Sequence, residues 1–541
     1  MQRIPFRRIA PSGELEARIV KSFARLHDKP YLPGLVGEPP YMSGDWPGDW
    51  EGRTILALAL ESKALGVEAA YLSEIVKWVR SICNEKGYRG PVIDPDAINE
   101  QHYPSHSWLL RGLIAVYRET GEKWILDWIY QIIDNLFLPM AGHLKNYPQT
   151  SEDREIHSQG GAAGSASHRF REWVLSSDIG CVFIALDGLT EAYELTGRKE
   201  ILDLAEEMIR LFGTLDYVGM GFQTHASLTV TRGIMRAWRL TGSAEALKIA
   251  ETLFRNYKRY GMTEFYANLN WFKKPSWTEP CAVIDSYILA CQLFEATNNA
   301  DYLNDAHLIW YNGVLRGQRQ NGGFGCDSCC EDGIVSARNG LYEANWCCTM
   351  RGGEGLTEPL RASVLADGNA LVFTQYFDLS FALPDGTALK MRTKLPEKGE
   401  TEIFVLSGQT EREFRFFVPE YAEDARLRRN GAPVALEMKN GFACARLSLK
   451  EGDALSLSFR LKLAFRPTVT YLHDGQKKFT LRNGALMLAS EEPLNVPLRL
   501  RDYLEHPDAF HPLKNAWQIE KDEFLSTDYQ LLYSVQPDDG N

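Results

Sequence analysis

One supersecondary unit recurs along the first two thirds of this chain: a helix that ends on Thr-Gly or an equivalent pair, then a second amphipathic helix. Thr120-Gly121 leads into Trp124-Ile-Leu, Thr196-Gly197 into Ile201-Leu and Thr241-Gly242 into Ala246-Leu. Thr297-Asn298 leads into Tyr302-Leu, and Leu65-Gly66 into Tyr71-Leu. Glycine or asparagine at such a point supplies the left-handed residue that ends a helix. The intervals between these caps are unequal, so the repeat is structural rather than literal. Five or six such hairpins, each too amphipathic to stand alone, bury their inner faces by closing into an (α/α)6 toroid. An open helical solenoid uses the same repeat, and closure itself is not displayed by a sequence.

The periodicity then changes. Up to about Gly355 the apolar spacing is helical, as in Trp108-Leu-Leu-Arg-Gly-Leu-Ile-Ala-Val-Tyr; beyond about Ala370 it alternates. Arg412-Glu-Phe-Arg-Phe-Phe-Val and Ala454-Leu-Ser-Leu-Ser-Phe-Arg-Leu-Lys-Leu have period two, and Asn430-Gly431 and Asn440-Gly441 are type I′ hairpin turns. The expected organisation is a toroid over residues 1–360 and a β-sandwich region over 361–541, formed as one sandwich or two small β-domains. Hydrophobic residues at 45% and charged residues at 24% exclude a disordered or fibrous chain. With 59 Lys+Arg against 71 Asp+Glu, a net charge of −12 argues against nucleic acid, whose affinity comes largely from phosphate neutralisation. No run of 18 apolar residues predicts a membrane span, and no apolar segment follows Met1-Gln-Arg-Ile-Pro-Phe-Arg-Arg. Taken as a natural start, that sequence predicts a cytoplasmic protein.

Counting back from each cap by the length of one helix reaches the start of the inner helix, where Glu51, His106, Asp178, His225 and the pair Glu279/Cys281 stand. Inner helices of a toroid begin at one end, so these side chains are expected to converge on one rim. Helix starts also favour polar residues as caps, and that explanation competes at each position. Trp46, Trp50 and Trp346 adjoin the rim motifs and are candidate sugar platforms among 13 tryptophans. His102 and His106 are four apart, but the intervening Pro104 predicts a broken helix, with His106 in the site and His102 on the surface.

Seven of the ten cysteines fall in the stretch from Cys281 to Cys348. Glu279-Pro-Cys281 together with Trp346-Cys347-Cys348-Thr offers one carboxylate and three sulfurs, a tetrahedral zinc set. Cysteine is equally a small buried hydrophobe. Cys326-Asp-Ser-Cys329-Cys330 is a rival cluster without a second C-x-x-C partner.

The order of these motifs resembles the zinc- and cysteine-dependent β-L-arabinofuranosidases of glycoside hydrolase family 127 and the related family 146. The resemblance runs from Trp50 into the β-region and is strongest from Glu264 to about Phe377. Glu279-Pro-Cys281, an apolar helix, Tyr311-Asn-Gly-Val-Leu, Asn345-Trp-Cys347-Cys348-Thr and Leu371-Val-Phe-Thr-Gln-Tyr-Phe follow in the family's order. The resemblance implies an (α/α)6 barrel with β-sandwich domains and a retaining exo-glycoside hydrolase acting on a glycoside or oligosaccharide. Glu279, Cys281, Cys347 and Cys348 would hold zinc, Cys347 would be the nucleophile and Glu264 the general acid/base. His106 and His225 match sugar-contacting positions, joined by Trp50, Glu51 and Asp178 at the rim.

Three departures bear on the sugar. Phe324-Gly-Cys326 stands where the family has a tyrosine-containing run, and Asp178 where it often has histidine. Thr349-Met-Arg-Gly is closer to family 146 than to the Pro-Pro-Asn of family 127. The resemblance implies a terminal β-L-arabinofuranose or a similar pentofuranose as substrate, and these departures admit a change to another pentofuranoside or to a branched or acidic sugar. Other sugar chemistry on the same toroid, epimerisation or inverting hydrolysis, is the second reading, and a non-catalytic zinc-stabilised carbohydrate binder the third.

Overall fold

The structure, a computed structural model, describes residues 1–38, 46–154, 164, 166–337, 342–491, 494, 497–513 and 519–536. Twelve helices among these residues build a double ring. The inner members are α2 (Asp49–Leu65), α4 (His102–Thr120), α6 (Ala185–Thr196), α8 (Thr224–Thr241), α10 (Pro280–Thr297) and α12 (Cys348–Ala362). The outer members are α1 (Gly13–Arg25), α3 (Leu72–Ser81), α5 (Lys123–Ile132), α7 (Lys199–Thr214), α9 (Ala244–Tyr260) and α11 (Asp301–Leu308). Each inner helix packs on the next, and α12 packs back on α2, so the ring closes.

Composition sorts the helices between the layers. The outer α9 buries Ala246, Ala250, Leu253, Phe254 and Tyr257, a single stripe at helical spacing. The inner α10 is buried on every side from Pro280 to Cys291, consistent with its nearly unbroken apolar run. The caps read from the sequence end their helices in left-handed geometry: φ is 67° at Gly66, 66° at Gly121, 67° at Gly197, 74° at Gly242 and 56° at Asn298. The sixth inner helix, α12, has no such cap and begins at the vicinal cysteines instead.

Close crossing of α2 and α4 depends on Gly52, where a Cβ would lie 2.2 Å from the Leu109 backbone nitrogen. The expectation that Pro104 breaks the helix there is corrected. Pro104 lies in the first turn of α4, where a backbone N–H has no intrahelical partner, so nothing is lost and the helix runs from His102. His102 is accordingly buried rather than on the surface.

Beyond α12 the chain is β-structure. One sheet has six strands and the other seven, and Phe373 of the first meets Phe381 of the second edge to face at 6.2 Å. Both Asn-Gly turns have the paired positive φ of type I′, 51° and 82° at Asn430-Gly431 and 49° and 81° at Asn440-Gly441. The start of the chain also enters this sandwich: Gln2–Arg3 pairs with Val364–Asp367, and Ile9–Pro11 with Leu379–Ala382. A third, four-stranded sheet begins at Leu463–Pro467 and ends at His511–Pro512. It is tied to the ring by Asn312, whose side chain bonds the Ala485 carbonyl and the Met487 amide, each at 2.9 Å. No helix among the described residues is long and apolar enough to cross a membrane.

Because the Gly52 contact is with backbone, no rotamer change relieves an added methyl. Gly52→Ala is expected to destabilise the protein by about 1–3 kcal/mol, read as a lower urea midpoint at unchanged slope. An unchanged midpoint would show that α2 and α4 can separate at no cost.

Candidate active site

The centre forms where two neighbouring inner helices begin. Glu279 is the N-cap of α10, Pro280 fills its first position and Cys281 follows in the first turn. Cys347 is the N-cap of α12 and Cys348 its first helical residue. Neither N-cap side chain caps its own helix, which leaves both free to face the centre. Ring closure therefore joins two segments that are distant in sequence, and the donor atoms of Glu279, Cys281, Cys347 and Cys348 all lie within 4.8 Å of one another. This is the one such group among the described residues.

The sulfur separations are 3.5 Å for Cys281–Cys348 and 3.3 Å for Cys347–Cys348. Sulfurs about 2.3 Å from a tetrahedral zinc stand about 3.8 Å apart, so small outward movements turn this cluster into a four-coordinate site. Three soft sulfurs and one carboxylate, largely buried, fit a thiophilic divalent ion. Burial drives the Cys281 and Cys348 thiols well above their ordinary values. At Cys347 the contact with Cys281 acts downward, but contact with Cys348 and burial outweigh it. Metal binding must therefore displace thiol protons. Cys281 and Cys348 are fully buried, whereas Cys347 is half-buried and adjoins the exposed Trp346, so it is the most exposed sulfur of the three.

The loop from Gly261 to Thr278 orients the carboxylate. The Glu279 backbone N–H donates to Asn268 Oδ1 at 2.6 Å. With its amide assigned by hydrogen bonding, Asn270 donates to Glu279 Oε2 at 2.5 Å and accepts from the Trp277 indole at 3.2 Å. Gln223 Nε2 approaches the same oxygen at 3.5 Å, and His225 Nδ1 approaches Oε1 at 3.6 Å. Burial, reinforced by the Asp178 charge, raises the Glu279 carboxyl to about 8. Gly313 lets this loop sit down on the ring, since a Cβ there would lie 2.5 Å from the Tyr266 carbonyl oxygen.

Beneath the sulfurs, Trp108 is a buried platform. His225 stacks on it at 6.2 Å with rings 9° from parallel, and the Arg53 and Arg351 guanidinium groups lie 4.3 and 4.4 Å from its centroid. Arg53 also directs Nη1 at Cys281 Sγ at 3.7 Å, while Asp49 holds its Nε at 2.8 Å. Deeper along the axis, Arg111, Arg232, Arg236 and Arg351 interlock with Asp187, Glu191, Asp285 and Glu354. Arg232 meets Asp285 at 2.5 Å, Arg111 meets Glu354 at 2.7 Å and Arg236 meets Asp187 at 2.6 Å, while Arg351 bonds both Asp285 and Glu354.

The other rim residues divide. His225 joins the centre. Glu51 is engaged by Arg89 at 2.7 Å and by the Gly48 N–H at 3.1 Å, so it serves as a helix cap. His106 bonds the His102 carbonyl at 2.7 Å and the Arg89 amide at 3.0 Å, which occupies both ring nitrogens with backbone. Trp50 is buried against Tyr31, and Trp46 bonds the Gly164 carbonyl. Asp178 is buried, with Oδ1 lacking a partner among the described residues, and burial raises it to about 7. Glu264 is also buried and raised, chiefly by desolvation; its Oε1 accepts from Thr470 Oγ1 at 2.8 Å and lies 3.8 Å from His473 Nε2. Among the described residues, none of its hydrogen bonds or ion pairs reaches the sulfurs of Cys281, Cys347 and Cys348. Cys329 points at the Asn268 carbonyl and Cys330 takes a left-handed φ of 61°, and among the described residues Cys326, Cys329 and Cys330 form no group of facing metal donors.

Arg53, Gln223, Asn268, Asn270 and Asp285 were not singled out by the sequence. Arg53 alone left a signal, close behind Glu51 in the opening turns of an inner helix.

Residues 182–358 match the family model "Beta-L-arabinofuranosidase, GH127 catalytic domain", a stretch that contains Glu264, both cysteine motifs and all or most of four inner helices. A solved structure described as a GH127 β-arabinofuranosidase superposes with a TM-score of 0.69 at 13% identity, covering 91% of this chain and 86% of that one. A GH127 β-L-arabinofuranosidase from Geobacillus stearothermophilus T6 gives 0.60 at 15% identity, covering 90% and 82%. A structure described only as a glycoside hydrolase gives 0.63 at 16% identity, covering 90% and 83%. No curated protein matches the chain.

The axial ion network has a pH signature. Burial acts to raise the Glu191 carboxyl, but Arg236, Arg111 and Arg118 overcome it and hold the group at about 2, below its ordinary 4.5. A depressed carboxylate contributes stability that is complete above its unfolded value and is lost as pH falls through the folded one. The urea midpoint is therefore expected to fall steadily between pH 5 and about 2. A flat midpoint over that window would mean the network contributes nothing to folding.

Proposed function

We propose that this chain, whose residues 182–358 match the GH127 catalytic-domain model, is a retaining exo-glycoside hydrolase that releases a terminal β-L-arabinofuranose or a similar pentofuranose. The observation that carries the reading is the cluster of Glu279, Cys281, Cys347 and Cys348 with a single sulfur, Cys347, open to substrate. Glu279, Cys281, Cys347 and Cys348 would hold a zinc ion, which would supply the positive charge that keeps the sulfurs deprotonated at neutral pH, where a free thiol titrates near ~8.5.

The chain's own groups then divide the chemistry. Cys347 Sγ forms a bond to the anomeric carbon as the bond to the leaving oxygen breaks, and the Glu264 carboxyl gives that oxygen its proton. In the second half, the Glu264 carboxylate takes a proton from water, the water oxygen bonds the anomeric carbon and the C–S electron pair returns to Cys347. Arg53 stabilises negative charge on the sulfur side through Cys281, and Asn268, Asn270 and Gln223 keep Glu279 directed inward. Burial suits Glu264 to hold a proton, while the Thr470 hydroxyl opposes that and must be exchanged for the substrate oxygen.

A second reading places the proton donor at Asp178, favoured by its burial and by an Oδ1 with no partner among the described residues. Leaving-group dependence separates the two. The variant lacking the true acid, Glu264→Gln or Asp178→Asn, loses roughly 10²–10⁴-fold in kcat/KM on an alkyl or sugar aglycone. It loses far less on nitrophenyl β-L-arabinofuranoside, whose leaving oxygen needs little protonation. Its descending alkaline limb also disappears, because an acid with a raised pKa stops working as pH rises through that value. Cys347→Ala is expected to abolish turnover of both substrates, by about 10⁴-fold or more. Full activity of Cys347→Ala would remove the nucleophile assignment.

A further inference from the structure

The side chain of Glu264 is held by a segment from the far end of the chain. Residues 468–478, between the first two strands of the four-stranded sheet, reach back to the helical ring. Arg259, at the end of α9, clamps both ends of the stretch that meets Glu264: Nη1 donates to the Val469 carbonyl at 2.9 Å and Nη2 to Asp474 Oδ1 at 2.7 Å. Between those points Tyr471–His473 form one 3-10 turn, and the Tyr471 ring stands 6.2 Å from that of Tyr260. Side chains three apart in such a turn project on the same side. Thr470 and His473 therefore face one acceptor together: Glu264 Oε1 takes the Thr470 hydroxyl at 2.8 Å and lies 3.8 Å from His473 Nε2. His473 is 3% exposed, and neither ring nitrogen has a hydrogen-bond partner among the described residues. Burying an imidazole in that state costs folding free energy, and the acceptor in front of it is a carboxyl group that changes charge in the proposed reaction.

An acid/base serves in two charge states, as a carboxylic acid while the leaving oxygen departs and as a carboxylate when water attacks. Burial disfavours the second state at Glu264. Burial also makes His473 less basic, which keeps its ring neutral with one N–H, and closing 3.8 Å to a hydrogen bond takes a movement of about 1 Å. We propose that His473 is a positioning residue for Glu264: its ring N–H closes on Oε1 when the carboxylate forms and holds the base in place for the second half of the reaction. The imidazole keeps its proton throughout. The inference rests on the reading of Glu264 as the acid/base. The other groups around the pair are the Val469 and Thr470 backbone, Tyr266, Cys330, Gln476 and two cations, Lys478 and Arg259. Arg259 is engaged by Asp474.

The readout is the alkaline limb of kcat/KM on an alkyl β-L-arabinofuranoside, which reports the acid of the free enzyme. A donor to the carboxylate lowers its pKa, so removing that donor raises it. His473→Phe, which keeps a ring but no N–H, is expected to move the limb upward by about one pH unit. His473→Gln, which restores an N–H donor, is expected to bring it most of the way back, as a purely structural role would not. A limb unmoved in His473→Phe but abolished in Glu264→Gln overturns the inference and leaves Glu264 as the acid. A limb that survives in Glu264→Gln overturns the acid assignment and the inference together. A second measurement avoids dependence on the folding of His473→Phe. In wild-type protein carrying ¹⁵N-labelled histidine, the His473 ring signal, identified by its loss in His473→Gln, should shift in step with ionisation of Glu264 and lose that step in Glu264→Gln. A ring signal with no such step, or one that persists in Glu264→Gln, overturns the inference.

Discussion

The molecule is organised around charge buried on the axis of its helical ring. Arg111 of α4, Asp187 and Glu191 of α6, Arg232 and Arg236 of α8, Asp285 of α10, and Arg351 and Glu354 of α12 form one lattice linking five of the six inner helices. Four cations meet four anions, so the lattice is neutral as a set, and each member has several partners. Desolvating so many ions is costly, and removing any single partner strands a buried charge at roughly 3–5 kcal/mol. The arrangement therefore does more to specify which helices adjoin, and at what height, than to add net stability. That height matters, because the lattice supports Trp108 from below through Arg111 and Arg351, and Trp108 supports His225 and Arg53 under the sulfurs.

What could be read from the sequence was what short-range chemistry decides. The Gly and Asn caps act within one turn, and the Asn-Gly hairpins act through adjacent positions, so both are visible without knowing any neighbour. Ring closure is different in kind. It depends on α12 returning to α2 from the far end of the helical region, and the helix that closes it carries no Thr-Gly cap. The strands at Gln2–Arg3 and Ile9–Pro11 are too short to leave a periodicity, and owe their existence to partners beyond α12, at the opposite end of the ring's sequence. His102 was misplaced by a local rule used one turn too far: proline breaks a helix only where a donor is needed.

The site shows the same division. Glu279-Pro-Cys281 and Cys347-Cys348 are each chemically distinctive as short motifs, and so could be singled out before the two were known to meet. Glu51 and His106 occupy similar positions at helix starts, yet their polar atoms are used by the Arg89 segment. Capping and catalysis draw on the same residue types at the same place, and only the partners distinguish them. Asn268 and Asn270 act on Glu279 through loop geometry, which has no periodicity to betray it, and Gln223 approaches it from the N-cap of α8.

The vicinal cysteines illustrate how one backbone step separates a fully buried sulfur from a half-buried one. Cys348 is the first residue inside α12, so its side chain follows the helix into the ring and is buried against Cys281. Cys347 is the N-cap, with φ of −148° and ψ of −58°, outside helical geometry. That departure turns its side chain toward the rim, where Trp346 is 39% exposed. Both sulfurs still share the helix N-terminus, whose unpaired N–H groups favour negative charge nearby. A sequence that moved the helix start by one residue would bury both sulfurs or expose both. The vicinal pair thus places one fully buried sulfur and one half-buried sulfur in the same local field.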